Sequence, residues 1–417
     1  MIWAQPVSIV NARVVADGGA IAESVRFSTR ILGIGGRPRS GDTVIDAAGG
    51  VVLPGLINAH DHLELNHYGQ LKGRERYANA AEWIDDLRPR LAVDPAIRGG
   101  RAHPLGERLF IGALKNLLAG VTMVAHHNPF YAELRRTMPI RIVRRYGWAH
   151  SFQLERQPAG ARGEPGGDVA ARWRATPADA PFMIHLAEGV DEAAGGELAR
   201  FEALGCLQAN SVLVHGVGID GGGWQRVARA GAGMVWCPAS NVFLFGRTAG
   251  IRELLDRNGD GPRIALGTDS RITGSRDMLD ELRAARAAAD VTPEELFAMV
   301  TRSAASLLRQ PRAGRIAVGV PTDLTMLGAH AGRAADGNGN GARPPLEILL
   351  AAERRDVRLV VVDGRPLVGD ADMLPVFEAR RVTPRPMCVD AAPKIGESRL
   401  VRRLAGCPIA EPGVVAT

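Results

Sequence analysis

The chain has 417 residues, 46% of them hydrophobic and 23% charged, with a formal net charge of +6. These proportions exclude a disordered or collagen-like chain, and the length holds one large domain plus a smaller one. No apolar run approaches the roughly 20 residues that span a bilayer, and the basic residues are scattered without aromatic-rich basic modules, so neither membrane nor nucleic acid is expected as a partner.

Residues 1–53 alternate apolar and polar positions between Gly-rich turns, as in Val7-Ser-Ile-Val and Thr43-Val-Ile-Asp, which predicts short strands. The N-terminus lacks the basic segment of a signal peptide. The four cysteines (206, 237, 388, 407) form no C-x-x-C pair, which suits reduced thiols in a cytoplasmic protein. An apolar run then leads into Pro54-Gly-Leu-Ile-Asn-Ala-His60-Asp-His62. In a strand, residues i and i+2 share a face, so both imidazoles can reach one cation.

From 54 to about 311 strands alternate with helices. A helix is predicted over Leu105 to Ala119, leading into Gly120-Val-Thr-Met-Val-Ala-His126-His127. A strand follows at 142–153, and then about thirty Gly- and Pro-rich residues that leave little room for a full strand–helix unit. Three further apolar runs end in polar groups: Met183-Ile-His185-Leu-Ala-Glu188, Val212-Leu-Val-His215 and Ile264-Ala-Leu-Gly-Thr-Asp269. Reactive groups at the C-terminal ends of successive strands are the arrangement of a (β/α)8 barrel. Thr292-Pro293-Glu294-Glu295 is a capping box opening a helix through Leu308. Residues 328–345 read as a flexible loop, Asp363-Gly364 as a tight hairpin turn, and 385–417 as a tail over the surface.

The segments PGLINAHDH (54–62), HLAEG (185–189), VHGVGID (214–220), CPASN (237–241) and GTDS (267–270) occur in one order. Together they resemble the amidohydrolase superfamily, and most closely its cytosine deaminase-like branch, which includes triazine and S-adenosylhomocysteine aminohydrolases. The resemblance covers roughly residues 5 to 370. It implies an α/β fold: a metal-dependent hydrolase (β/α)8 TIM barrel over 54–311, with a degenerate fourth unit to be looked for. It also implies a small β-sandwich built from both chain ends, 1–53 and 312–384, with 385–417 left as the C-terminal tail.

By the same resemblance, His60, His62, His185 and Asp269 hold one divalent metal. Three imidazoles and a carboxylate suit zinc first and ferrous iron second, rather than magnesium. Glu188, three residues past His185, is the expected proton shuttle, and His215 and Asp269 join it in catalysis. Binuclear relatives bridge two metals with a lysine on the fourth strand. Only Lys72, Lys115 and Lys394 are available, and none falls there, so a mononuclear site is expected. His127, His126, His67 and Gln70, with Glu64, are candidates for touching substrate, whereas Ser240-Asn241 is expected to shape the mouth.

The expected activity is hydrolytic deamination of a small amino-substituted nitrogen heterocycle. The alternatives are displacement of halide or alkylamine, opening of a cyclic amide, or a degenerate barrel that only binds. Self-association into a homo-oligomer is left open.

Overall fold

The computed structural model describes residues 4–135, 138–152, 168–256, 263–331 and 343–417. Its centre is a set of short parallel strands: β1 (Leu56–Asp61), β2 (Val121–His126), β3 (Arg141–Ile142), β4 (Gly147–Trp148), β5 (Phe182–Leu186), β6 (Ser211–His215), β7 (Gly233–Trp236) and β8 (Arg263–Leu266). They hydrogen-bond as two sheets, β3-β2-β1 and β4-β5-β6-β7-β8. Nearly every residue in them is buried, as in a parallel sheet covered on both faces.

The irregularity expected before His185 lies between β3 and β4. Four residues separate them and none is helical. The segment first pairs with β2, through Val143 N–H to Val124 O at 2.9 Å. It then pairs with β5, through Ala149 N–H to Met183 O at 3.0 Å. One extended stretch therefore does the work of two strands, and the predicted strand at 142–153 is two stubs. Residues 153–167, where the Gly-rich part of the gap falls, lie outside the described residues.

The helix predicted at Leu105 to Ala119 runs Leu105–Leu118. The capping box at Thr292 is formed, but its helix ends at Met299 and resumes at Arg302–Leu307, broken at Thr301 (φ −135°, ψ −103°). Asp363-Gly364 makes the expected tight turn, with both residues at positive φ. Of the loop at 328–345, residues 332–342 lie outside the described residues, and Pro345–Ala351 is helical.

Two further sheets stand beside the parallel strands. One has four strands, with Val7–Val10 between Val25–Phe27 and Thr43–Asp46. The other has nine, and in it Val51–Pro54 pairs with Leu324–Leu327, joining the two ends of the chain. Val7, Ile9, Phe27 and Ile31 from the first sheet share one buried cluster with Val52, Leu324 and Leu359 from the second. The expectation of a surface tail after 384 is corrected. Pro384–Val389 and Ala392–Glu397 form a hairpin, Ser398–Gly406 a helix, and Val414–Ala416 the outermost strand of the larger sheet. The turn between the hairpin strands, Asp390-Ala391, has both residues at positive φ (48° and 66°). That geometry is signalled in a sequence by Asn-Gly or Asp-Gly, which this chain lacks there.

Candidate metal centre

The C-terminal ends of β1, β2, β5 and β6 and the turn after β8 bring His60, His62, His127, His185, His215 and Asp269 together. His60 has ring centroids of His62, His127 and His185 at 4.9, 5.0 and 4.9 Å. Along β1, Ile57 and Ala59 belong to the inner apolar cluster, yet His60 joins the imidazoles on that same side. The pairing with β2 slips between Asn58 and Asp61, and this break in alternation lets His60 turn inward. His62 lies just beyond the strand, at the entry to a short 3-10 turn. Gly267 is required opposite: a Cβ there would lie 2.7 Å from His60 Cβ.

The hydrogen-bond partners fix the tautomers. His185 Nδ1–H donates to His150 O (2.7 Å) and His215 Nδ1–H to Asn241 Oδ1 (2.8 Å). His127 Nε2–H donates to Ala149 O (2.9 Å), so its Nδ1 accepts from His60 Nδ1–H at 3.3 Å. His60, His185 and His215 thus all present an Nε2 lone pair, and the other ring nitrogen is held by a neighbour, as in metal-bound imidazoles. Burial holds His60, His127, His185 and His215 below the ordinary histidine range, and neighbouring imidazoles push the first three further down. They are therefore neutral, the form a metal needs.

Asp269 completes the group. Its Oδ2 accepts from Ser240 Oγ (2.9 Å) and Thr273 Oγ1 (2.8 Å), and its Oδ1 from Ser270 N–H (2.7 Å). Burial alone would raise this carboxyl, but His62, His215 and those donors hold it below the usual carboxylate range. The residue sits at φ 52°, in the left-handed region.

The arrangement fits a divalent cation. His62 Nε2 is 3.2 Å from His185 Nε2 and 3.7 Å from Asp269 Oδ1, and His60 Nε2 is 3.8 Å from the same oxygen. Ligands about 2.0–2.1 Å from one tetrahedral ion stand roughly 3.3 Å apart. His60 Nε2 and His215 Nε2 are buried with no hydrogen-bond partner among the described residues. Sets drawn from His60, His185 and His215 and from His60, His62 and Asp269 each converge within 4.8 Å.

Glu188 lies beside this group, its Oε1 3.5 Å from His215 Nε2 and its side chain 15% exposed. Burial, then the charges of Asp269 and Glu197, push its carboxyl well above the usual range. The shift favours the protonated acid.

Of the substrate candidates, only His127 faces the cluster. His126 points to the other side of β2, where its Nδ1 accepts from Leu63 N–H at 3.4 Å and lies 3.7 Å from Glu64 Oε2. His67 packs on Tyr68 and faces His103, and Gln70 is exposed. Ser240 and Asn241 do more than shape a mouth, since they hold Asp269 and His215. His150 went unread in the sequence. Its ring stacks on His185 at 4.7 Å, and burial and then His62 push it down to about 3. Its position two residues after Trp148 in an extended segment was the available signal.

Comparison with known proteins agrees. Residues 170–367 match the model of the amidohydrolase family. The chain is 26% identical over 407 residues to a 5-methylthioadenosine/S-adenosylhomocysteine deaminase of Halobacterium salinarum, covering 88% of this chain and 91% of that one. With the same-named protein of Haloarcula marismortui it shares 27% over 390 residues, 83% and 87% of the two chains. Its fold resembles that of a zinc-complexed atrazine chlorohydrolase from Arthrobacter aurescens, with a TM-score of 0.69 and 22% identity over 90% of this chain and 99% of that one. An adenosine deaminase from Xanthomonas campestris with bound zinc has a TM-score of 0.66 at 18% identity, over 90% and 97%. The motif order, the converging imidazoles and these matches all make the chain similar to the amidohydrolase family.

Proposed function

We propose that this enzyme hydrolytically removes the amino group of an amino-substituted nitrogen heterocycle, and that an adenosine-type purine nucleoside is its substrate class. The observation that carries the reading is the largely buried Glu188 carboxyl, 3.5 Å from the lone pair of His215 Nε2 and three residues past His185. The names of the curated relatives supply the substrate class.

In this reading His60, His62, His185 and Asp269 hold one divalent cation, zinc by the chemistry of the donors. When bound, such an ion lowers the pKa of a coordinated water to about 7. Protonated Glu188 delivers its proton to a ring nitrogen, takes up the hydroxyl proton of the tetrahedral adduct and passes that one to the departing amine, and the proton left on Asp269 then restores the Glu188 carboxyl. His215 Nε2 accepts a hydrogen bond from the attacking water or the substrate, and the Asp269 carboxylate accepts the proton that the water gives up. Lys115 is committed elsewhere, as described below, which supports a single-metal site.

The matching fold reading is one closed barrel beside a two-sheet sandwich. Its support is that the turn after β8 returns to β1, with Asp269 N–H donating to His60 O at 3.1 Å, and that the outer sheets share a core.

The test is turnover of zinc-loaded protein on aminopurine nucleosides, free aminopurines, pterins, aminopyrimidines and chloro- and aminotriazines. Ammonia, halide and ring-opened acid are measured together. Ammonia release from a nucleoside, lost in Glu188→Gln with zinc retained, is the expected result. Halide or acid without ammonia would overturn the deaminase reading.

A further inference from the structure

Lys115 is fully buried in the helix Leu105–Leu118. Its Nζ lies 3.1 Å from Asp61 Oδ2, 2.8 Å from Asn66 Oδ1, 3.1 Å from Thr268 Oγ1 and 3.4 Å from the Asp269 carbonyl oxygen. Asp61 stands between His60 and His62 in the chain, and is equally buried. Its carboxylate also accepts from Asn66 Nδ2 (2.7 Å), Asn116 Nδ2 (2.8 Å) and Asn58 Nδ2 (3.2 Å). An ammonium and a carboxylate taken out of water are stable only when paired and hydrogen-bonded on all sides, and here they are.

The consequence is positional. One ammonium touches both segments that would supply metal ligands: the His60-Asp61-His62 strand end and the Thr268-Asp269 turn, whose Asp269 stands at a strained positive φ. A second arm comes from the end of the chain. Arg271 N–H donates to Asn66 Oδ1 at 3.2 Å, and its guanidinium is bidentate to the buried Glu411 at 2.9 and 2.6 Å. Arg354 clamps the same carboxylate at 2.6 Å.

We propose that Lys115 is a positioning residue of the metal centre, holding the His60–His62 strand end and the Asp269 turn in one register so that metal affinity depends on it. This rests on the metal-centre reading above. Hydrogen-bonding groups behind metal ligands commonly set affinity by about 10- to 100-fold.

The experiment measures zinc affinity by competition with a chromogenic chelator, and melting of the metal-free protein, on the full chain. Wild type, Lys115→Met, Asp61→Asn and the double variant are compared. Lys115→Met leaves a buried carboxylate unpaired and so threatens the fold, whereas the double variant removes both charges. The expected result is that the double variant binds zinc at least about 10-fold more weakly than Asp61→Asn alone, with metal-free melting close to it. Equal zinc affinity in those two would overturn the proposal and reduce Lys115 to a charge partner of Asp61. Wild-type protein that binds no zinc would instead sink the metal-centre reading itself.

Discussion

His215 Nε2 and Glu188 Oε1 stand 3.5 Å apart at adjoining strand ends. The imidazole gives its Nδ1 proton to Asn241, so the nitrogen facing Glu188 holds a lone pair. Any hydrogen between the two therefore belongs to the carboxyl, whose protonated form burial favours. In the proposed mechanism Glu188 is the acid, and the His215 lone pair accepts from the water or the substrate. Replacing Glu188 with Gln keeps the shape and removes the transferable proton. Turnover is expected to fall about 100- to 10,000-fold, with zinc content unchanged by elemental mass spectrometry. Full turnover in that variant would show that the proton travels another way.

Asn241 makes a separable contribution. Its Oδ1 sets the His215 tautomer, and its Nδ2 donates to Thr248 Oγ1 at 3.0 Å. Asn241→Ala frees the ring to turn and to exchange tautomers. It should lower kcat/KM by about 10- to 100-fold with little change in the melting temperature of the zinc-loaded protein. Steady-state kinetics beside a melting curve decides this. A large loss of stability with normal kinetics would make Asn241 a packing residue only.

Much of the candidate site was legible because its residues stand at the ends of short apolar runs, His60 and His62 sharing one, so order and spacing survive in the sequence. Three things were not legible. Lys115 looks like an ordinary helical lysine, since its partners Asp61 and Thr268 are 54 and 153 residues away and only the fold joins them. His150 lies in an extended segment that pairs first with β2 and then with β5, where no regular alternation points it inward. The strands after 384 were hidden by a turn whose positive φ falls on Asp390 and Ala391, where no glycine follows the aspartate to mark a hairpin. In each case the information is non-local or sits in backbone geometry.

The helix that carries Lys115 also sets the height of the turn after His62. A Cβ on Gly112 would lie 2.2 Å from Leu63 O and 2.8 Å from Leu63 C and Cα. Those are backbone atoms of the residue directly after His62, so they cannot swing aside as a side chain would. Helix propensity favours Ala over Gly by about 1 kcal/mol, but overpacking against fixed backbone costs about 1–3 kcal/mol or more. Gly112→Ala should therefore lower the denaturation midpoint and weaken zinc retention together. Chemical unfolding with a parallel chelator titration tests both. A more stable variant would mean that the helix shifts outward freely.

Glu281 gives a pH dependence of stability that is separate from the metal. It is fully buried on the helix Met278–Ala288, and its Oε1 accepts from Ala239 N–H at 3.0 Å. Burial lifts its carboxyl from 4.5 to about 7, against the opposing pull of Ser275, the Ala239 N–H and Lys115. A carboxyl raised in the folded state binds its proton more tightly there than in the unfolded chain. Its contribution is therefore full below about pH 4.5, declines as pH rises towards 7, and is lost above it. At about 1.4 kcal/mol per pH unit the decline amounts to at most about 3 kcal/mol. Glu281→Gln keeps the acceptor for Ala239 and does not titrate. The variant should gain on the wild type between pH 5 and 7.5 and match its slope above. Denaturant unfolding of both proteins across that range is the measurement, and parallel curves would place the Glu281 carboxyl near its ordinary value.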